Sequence, residues 1–134
     1  MTAVATIHLV GRMLMIERIP DLPDNVVGVS ASGQVDAADY ETVLIPAIDA
    51  AHEKHDQIRL LYEVGPQFTG FTAAAMWDDI KVGIAHFRAW EKIAVVTDHT
   101  WIANMTRMFG FAIPCPVKIF LGEALAEAKT WIAA

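Results

Sequence analysis

The sequence predicts an α/β domain with a mainly parallel five-stranded sheet and four helices, in the order β-β-α-β-α-β-α-β-α, spanning residues 1–134 as one unit. Three observations carry this. Two strand-like runs open the chain around a proline-rich turn, three short apolar runs with little alternation follow, and the segments after each of the last four runs repeat their apolar residues at helical spacing. Helix and strand in alternation point to parallel pairing. Right-handed crossovers between strands laid down in chain order would place successive helices on one face.

The first strand is expected in "RMLMIERI", Arg12 to Ile19, and "PDLPDN" supplies a turn with two prolines. "VVGVSASGQV", Val26 to Val35, then pairs back as a hairpin. From Asp36 the period changes: Ala37, Tyr40, Leu44, Ala47, Ile48 and Ala51 mark one face of a helix capped by the Asp36 carboxylate. Pro46 removes a backbone donor inside it, so a bend is expected there and not an end. "IRLLYEV", Ile58 to Val64, is the third strand, and "GPQFTGFT" reads as a turn into a second helix. That helix places Ala73, Met76, Trp77, Ile80, Gly83, Ile84 and Phe87 on one stripe, expected to face the core, with Asp78, Asp79, Lys81, Ala85 and His86 elsewhere. "KIAVVTD", Lys92 to Asp98, is the fourth strand, a third helix runs from near Asp98 to about Phe109, "VKIFL" is the fifth strand, and "GEALAEAKTWIAA" is a closing helix.

Composition narrows the function. Sixteen acidic residues against ten Lys and Arg give a net charge of −6, which opposes a sequence-independent grip on phosphate backbones and argues against nucleic acid as a partner. One cysteine, Cys115, excludes an internal disulfide framework and a cysteine-built zinc site, and is compatible with a reducing cytoplasm. Nothing resembles an export signal, and the longest apolar run, Met108 to Val117, is half the length of about 20 residues that a spanning helix needs. The hydrophobic content of 54% leaves either a generous core or spare apolar surface.

The blocks "GQVDAADYETVLIPAIDAA", "FTGFTAAAMWDDIKVGIAHFRAWEKIAVVTDHTWI" and "VKIFLGEALAEAKTWIAA", in this order, resemble the SpoIIAA-like family of small bacterial proteins within the STAS (sulfate transporter and anti-sigma factor antagonist) superfamily. The resemblance implies a fold of successive β-α turns shared in outline with lipid-binding CRAL/TRIO domains, and it implies membrane association or hydrophobic ligands for some members. Anti-sigma factor antagonists carry a phosphorylated serine in an Asp-Ser-Ser-Gly turn at the start of the second helix. Here that place reads "FTGFTAAAM", and the only serines, Ser30 and Ser32, lie in the second strand. Thr69 and Thr72 replace the acceptor by position alone.

Parallel α/β sheets bind ligands beyond the carboxyl ends of their strands, where helix N-termini present unpaired N–H groups. The residues expected there are Asp36, Phe68, Thr69, Gly70, Phe71, Thr72, Asp98 and His99. Phe68 and Phe71 either cover the apolar part of a ligand or staple the turn to the core. Met76 and Trp77 read as core packing. Trp101, Met105 and Met108, at i, i+4, i+7, stand beside the Ile102, Thr106 and Phe109 line that should face the sheet. With Phe111 they offer a membrane or partner contact, and the competing reading is packing against a neighbouring helix or the same surface in a homodimer. His52 and His55 with Glu53 and Asp56 have metal-like spacing but lack a third ligand from another element, so no metal is expected. Asp98 reads as the N-cap of the third helix. No cofactor fingerprint or nucleophile signature appears, and Cys115 between two prolines reads as a buried small residue.

The function expected from these readings is a non-enzymatic STAS-like domain that binds a small hydrophobic or amphipathic ligand, cytoplasmic and peripheral to the inner face of the membrane. The alternative is a protein-interaction module in a regulatory switch. An enzyme, with Asp36, Asp98 and His99 converging, stands third.

Overall fold

A computed structural model describes residues 14–134. Its strands lie in chain order, β1 (Ile16–Arg18), β2 (Val26–Val35), β3 (Ile58–Phe71), β4 (Trp90–Thr97) and β5 (Val117–Phe120), in one five-stranded sheet. β1 and β2 form the expected antiparallel hairpin and all other neighbours are parallel. The first strand is shorter than Arg12 to Ile19, of which Arg12 and Met13 lie outside the described residues.

Alternation along the parallel strands splits the core in two. Val27, Val29, Tyr62, Val64, Ile93 and Val95 point to the face covered by the first three helices, while Val26, Leu61, Ala94 and Val96 meet Ala128 and Ile132 of the last helix on the other. Successive crossover helices thus share a face, as right-handed connections between ordered strands require.

The first helix is continuous from residue 37 to 54 in three parts: α1 (Ala37–Asp39), a π-helical turn (Tyr40–Leu44) and α2 (Ile45–Lys54). Asp36 caps it as expected, in a capping box: its carboxylate accepts from Ala37 N at 2.7 Å and Asp39 accepts from Asp36 N at 2.8 Å. The conflict posed by Pro46 is met by the π turn. Ile45 N–H reaches back to Tyr40 O, and the wider turn puts Pro46 in the first turn of α2, where a missing donor is harmless.

β3 departs most from expectation. The segment read as a turn after Val64 continues as strand to Phe71, pairing Gly33 with Phe68, Gln34 with Gly70 and Val35 with Phe71. Between Val64 and Phe68 the ladder bulges, and Pro66, which has no N–H to offer, sits exposed in the interruption. β2 has ten residues, so its full edge is a template that keeps β3 extended.

Three helices complete the chain: α3 (Ala73–Ala85), α4 (Thr100–Gly110) and α5 (Leu125–Ala133), the last entered through a 3-10 turn at Gly122–Ala124. No helix among the described residues is long and apolar enough to cross a membrane.

Candidate functional site

The carboxyl ends of β2, β3 and β4 bring together most of the residues expected there. Thr72 caps α3, its Oγ1 accepting from Ala75 N at 3.2 Å while donating to Asp36 Oδ1 at 2.9 Å. One hydroxyl therefore ties the N-terminus of α3 to that of α1. Phe68 is 4% exposed and belongs to the core, against which half-buried Phe71 also packs. The staple reading is thus the one the structure supports for Phe68. The two rings meet edge to face at 4.8 Å, and Trp101 of α4 stacks on Phe68 at 6.0 Å with its outer side open to solvent. His99 joins the group at 5.7 Å from Phe68 and donates Nε2–H to Gly65 O at 2.9 Å. Thr69 is exposed, and Gly70 takes φ 153°, which favours glycine.

Asp98 does not cap α4. The N-cap is His99, without a side-chain bond, and the Asp98 Oδ1 instead accepts from Gly122 N at 3.0 Å, fastening the turn after β5 to the end of β4. Asp36, Asp98 and His99 are thus held by partners on different elements, which does not favour a shared proton relay. Burial pushes the Cys115 thiol up, away from the thiolate a nucleophile needs. A shallow depression of about 510 Å³ runs along α5 on the opposite face of the sheet and touches none of these residues.

The second helix reverses its expected orientation. Ala75, Asp78 and Val82 are buried, while Met76, Trp77, Ile80, Ile84 and Phe87 of the presumed core stripe are exposed, Trp77 at 60% and Ile84 at 71%. The cause lies in what α3 covers. Tyr40 and Tyr62 are buried with hydroxyls 3.0 Å apart, and Tyr40 donates to Asp79 Oδ1 at 2.9 Å, so Tyr62 must be the donor to Tyr40. Two buried hydroxyls need an acceptor, and only the acidic side of α3 brings one. Asp79 keeps part of its surface exposed, and desolvation at its carboxyl raises its pKa against the opposing hydrogen bond from Tyr40. Asp78 Oδ1 lies 3.3 Å from the exposed Lys81 ammonium, and its Oδ2 is buried without a partner among the described residues.

α4 buries Ile102 as expected, but Phe109, placed on the sheet-facing line, is 62% exposed. Its neighbours Met108 and Phe111 are 62% and 86% exposed, Trp101 is exposed and Met105 is partly buried. α4 meets β4 through Ile102 and approaches Val117 of β5 at Gly110, whose missing side chain lets the helix end come close, while Met108 and Phe109 point away; Thr106 turns its hydroxyl back to Ile102 O at 2.8 Å.

The histidine pairing is also different. His52 meets His86, not His55, which is the C-cap of α2. The spacing of His52 and His86, 34 residues, carried no local signal, and the tyrosine pair with Asp79 was equally invisible as a unit because each residue reads as an ordinary face residue of its own element.

The SpoIIAA-like family profile matches residues 26–133. The chain belongs to the SpoIIAA-like family. A solved structure, an uncharacterized protein from the DUF3478 family with a SpoIIAA-like fold from Shewanella loihica PV-4, is similar to this SpoIIAA-like chain at 22% identity and a TM-score of 0.73 over 90% of this chain and 96% of that one. At that identity the likeness speaks for the fold. No curated protein matches this SpoIIAA-like chain.

Proposed function

We propose that this protein is a non-enzymatic STAS-like domain that binds a small hydrophobic or amphipathic ligand and rests peripherally on the inner face of a membrane. One observation carries the reading: α3 buries an aspartate while turning Met76, Trp77, Ile80 and Ile84 outward, with Phe87 exposed just beyond its end, and α4 with its C-cap adds Met108, Phe109 and Phe111 on the same side of the sheet. Apolar surface of this extent marks a contact that the isolated chain leaves unmade. Covering one such side chain stabilises a complex by roughly 1.5–3 kcal/mol before the costs of association, so a few of them suffice for weak binding. Polar selection falls to the α3 N-terminus beside Thr72 and to the edge formed by Thr69, Gly70, Phe71, Asp36, Asp98 and His99. Native mass spectrometry after incubation with bacterial lipid extract, with liposome sedimentation beside it, is expected to retain a lipid-like species and to bring protein down with vesicles. Neither a retained species nor sedimentation would sink the reading.

The competing reading, a protein-interaction module in a regulatory switch, gains from the exposure of Thr69. It loses from Thr72, whose hydroxyl is occupied and faces the Asp36 carboxylate, so a phosphate placed there meets like charge. A pull-down whose partners vanish on Thr69→Ala would favour the switch.

A further inference from the structure

We propose that two copies of this chain pair through their β5 edges, antiparallel about a two-fold axis at Ile119, and so join two sheets into one. β5 ends the sheet on the side away from β1, with β4 as its one neighbour among the described residues. Its register fixes which main-chain groups are spare. Ile93 lies beside Val117 and donates its N–H to Pro116 O at 3.0 Å, so Pro116, Lys118 and Phe120 turn their main chain to β4 while Val117 and Ile119 turn theirs outward. Leu121 continues the outward series, and its O also accepts from Ala124 N at 2.9 Å. Among the described residues nothing accepts from the N–H groups of Val117, Ile119 and Leu121.

The side chains select a second copy as the occupant. An antiparallel partner sets outward residues opposite outward residues. With Ile119 opposite itself, Val117 meets Leu121 of the second copy, and Lys118 meets Phe120 of the second copy. A slip of the register that centres the axis on Lys118 sets the two ammonium side chains directly opposite, which like charge disfavours. Lys118 is also laid over rings already, 5.1 Å from the centre of Phe120 and 5.9 Å from that of Trp131, so a further ring beside it extends a contact the chain has begun. On the other face of the strand, Leu121 is exposed at one end, while at the other end Gly110 of α4 lies against Val117 between exposed Phe109 and Phe111. The two-fold brings Leu121 of each copy to Val117 of the other, beside that aromatic corner. One chain thus holds both halves of the contact at opposite ends of one strand, the self-complementarity an isologous interface requires. The pairing uses no side chain of α3 and needs no lipid, so it stands or falls apart from the ligand reading.

Sedimentation equilibrium of the full-length chain in lipid-free buffer, from 1 to 500 µM, is expected to show monomer and dimer in exchange. Ile119→Pro deletes an outward N–H and leaves the bonds of β5 to β4 in place, so it is expected to weaken the dimer at least tenfold. Phe111→Ser, at an exposed position off the strand, is expected to weaken it severalfold. Circular dichroism confirms that both variants are folded. The register is read separately, by mild oxidation of cysteine variants made together with Cys115→Ser. Ile119→Cys is expected to give a disulfide-linked dimer, since residues opposite each other in a hydrogen-bonded pair hold Cα atoms about 5.5 Å apart, within disulfide reach. Lys118→Cys, set diagonally from its own copy, is expected to stay unlinked. A chain that remains monomeric to 500 µM overturns the proposal. So does a dimer that Ile119→Pro leaves intact, or one that links through Lys118→Cys in place of Ile119→Cys.

Discussion

The Tyr40 and Tyr62 hydroxyls show how a single pair of atoms can govern the behaviour of the whole chain with pH. Burial raises both phenols above their ordinary value near 10, and for Tyr40 the nearby Tyr62 and Asp79 add to the shift. The sign follows directly. Below pH 10 both states hold these protons and the pair contributes its full stability; above it the unfolded chain releases them and the fold does not. Stability is therefore lost as pH rises past 10, by up to about 1.4 kcal/mol per pH unit for each tyrosine. Urea unfolding between pH 8 and 11 should show a falling midpoint, and Tyr40→Phe with Tyr62→Phe should flatten most of the fall. A slope unchanged in that double variant would refute the assignment. Neither the pair nor its acceptor was legible in the sequence, because Tyr40 reads as a helix core position and Tyr62 as a strand position, and hydrogen bonding between them depends on how two elements cross. Asp36 was legible, since an N-cap with its box is a local feature of four consecutive residues, Asp36 to Asp39.

An element is legible in the sequence where its signal is local and obscure where a neighbouring element decides its course. β2 has the boundaries expected of it, while β3 runs seven residues past Val64 because the edge of β2 holds it extended. The apolar period predicts α3 as a helix, and the structure turns its stripe outward. A hydrophobic stripe says that one side of a helix is apolar, not that the floor beneath it is, and here the floor carries two hydroxyls. α5 owes its anchoring to similar cross-element bonds. Arg59 of β3 donates Nη1–H to Ile132 O at 2.7 Å and Nε–H to Glu91 at 2.8 Å, and Lys92 of β4 donates to Trp131 O at 3.0 Å with its ammonium 4.9 Å from the Trp131 ring. Both cations satisfy last-turn carbonyls and lie at the negative end of the helix dipole. Lys92→Ala is expected to lower unfolding free energy by about 1–2 kcal/mol. Lys92→Met, which keeps the stem over Trp131, should recover part of this, separating packing from charge. Thermal denaturation that leaves both variants at the wild-type midpoint would show that α5 is anchored by Ala128 and Ile132 alone.

At the scale of the molecule, charge and apolar surface pull in opposite directions, and the proposed membrane contact makes a distinct prediction from that opposition. The net charge of −6 repels an anionic lipid surface at long range, and Arg107, at the rim of the exposed α4 residues, is already hydrogen-bonded to Asn104 at 3.2 Å. On the proposed membrane reading, attraction would come from insertion of rings and methionines into the interfacial layer, an interaction that scales with apolar area and does not depend on charge screening. Vesicles of zwitterionic lipid are expected to bind at least as well as vesicles with a third anionic lipid. Raising salt from 50 to 500 mM should leave binding to the former unchanged and strengthen binding to the latter, as screening removes the repulsion. Trp77→Ser with Ile84→Ser, both on the exposed side of α3, should weaken binding to both kinds of vesicle while leaving the fold intact, since neither side chain contributes to the buried core. Binding that needs anionic lipid and disappears at high salt would instead place the contact on a basic surface, and the outward face of α3 would then need a protein partner to cover it.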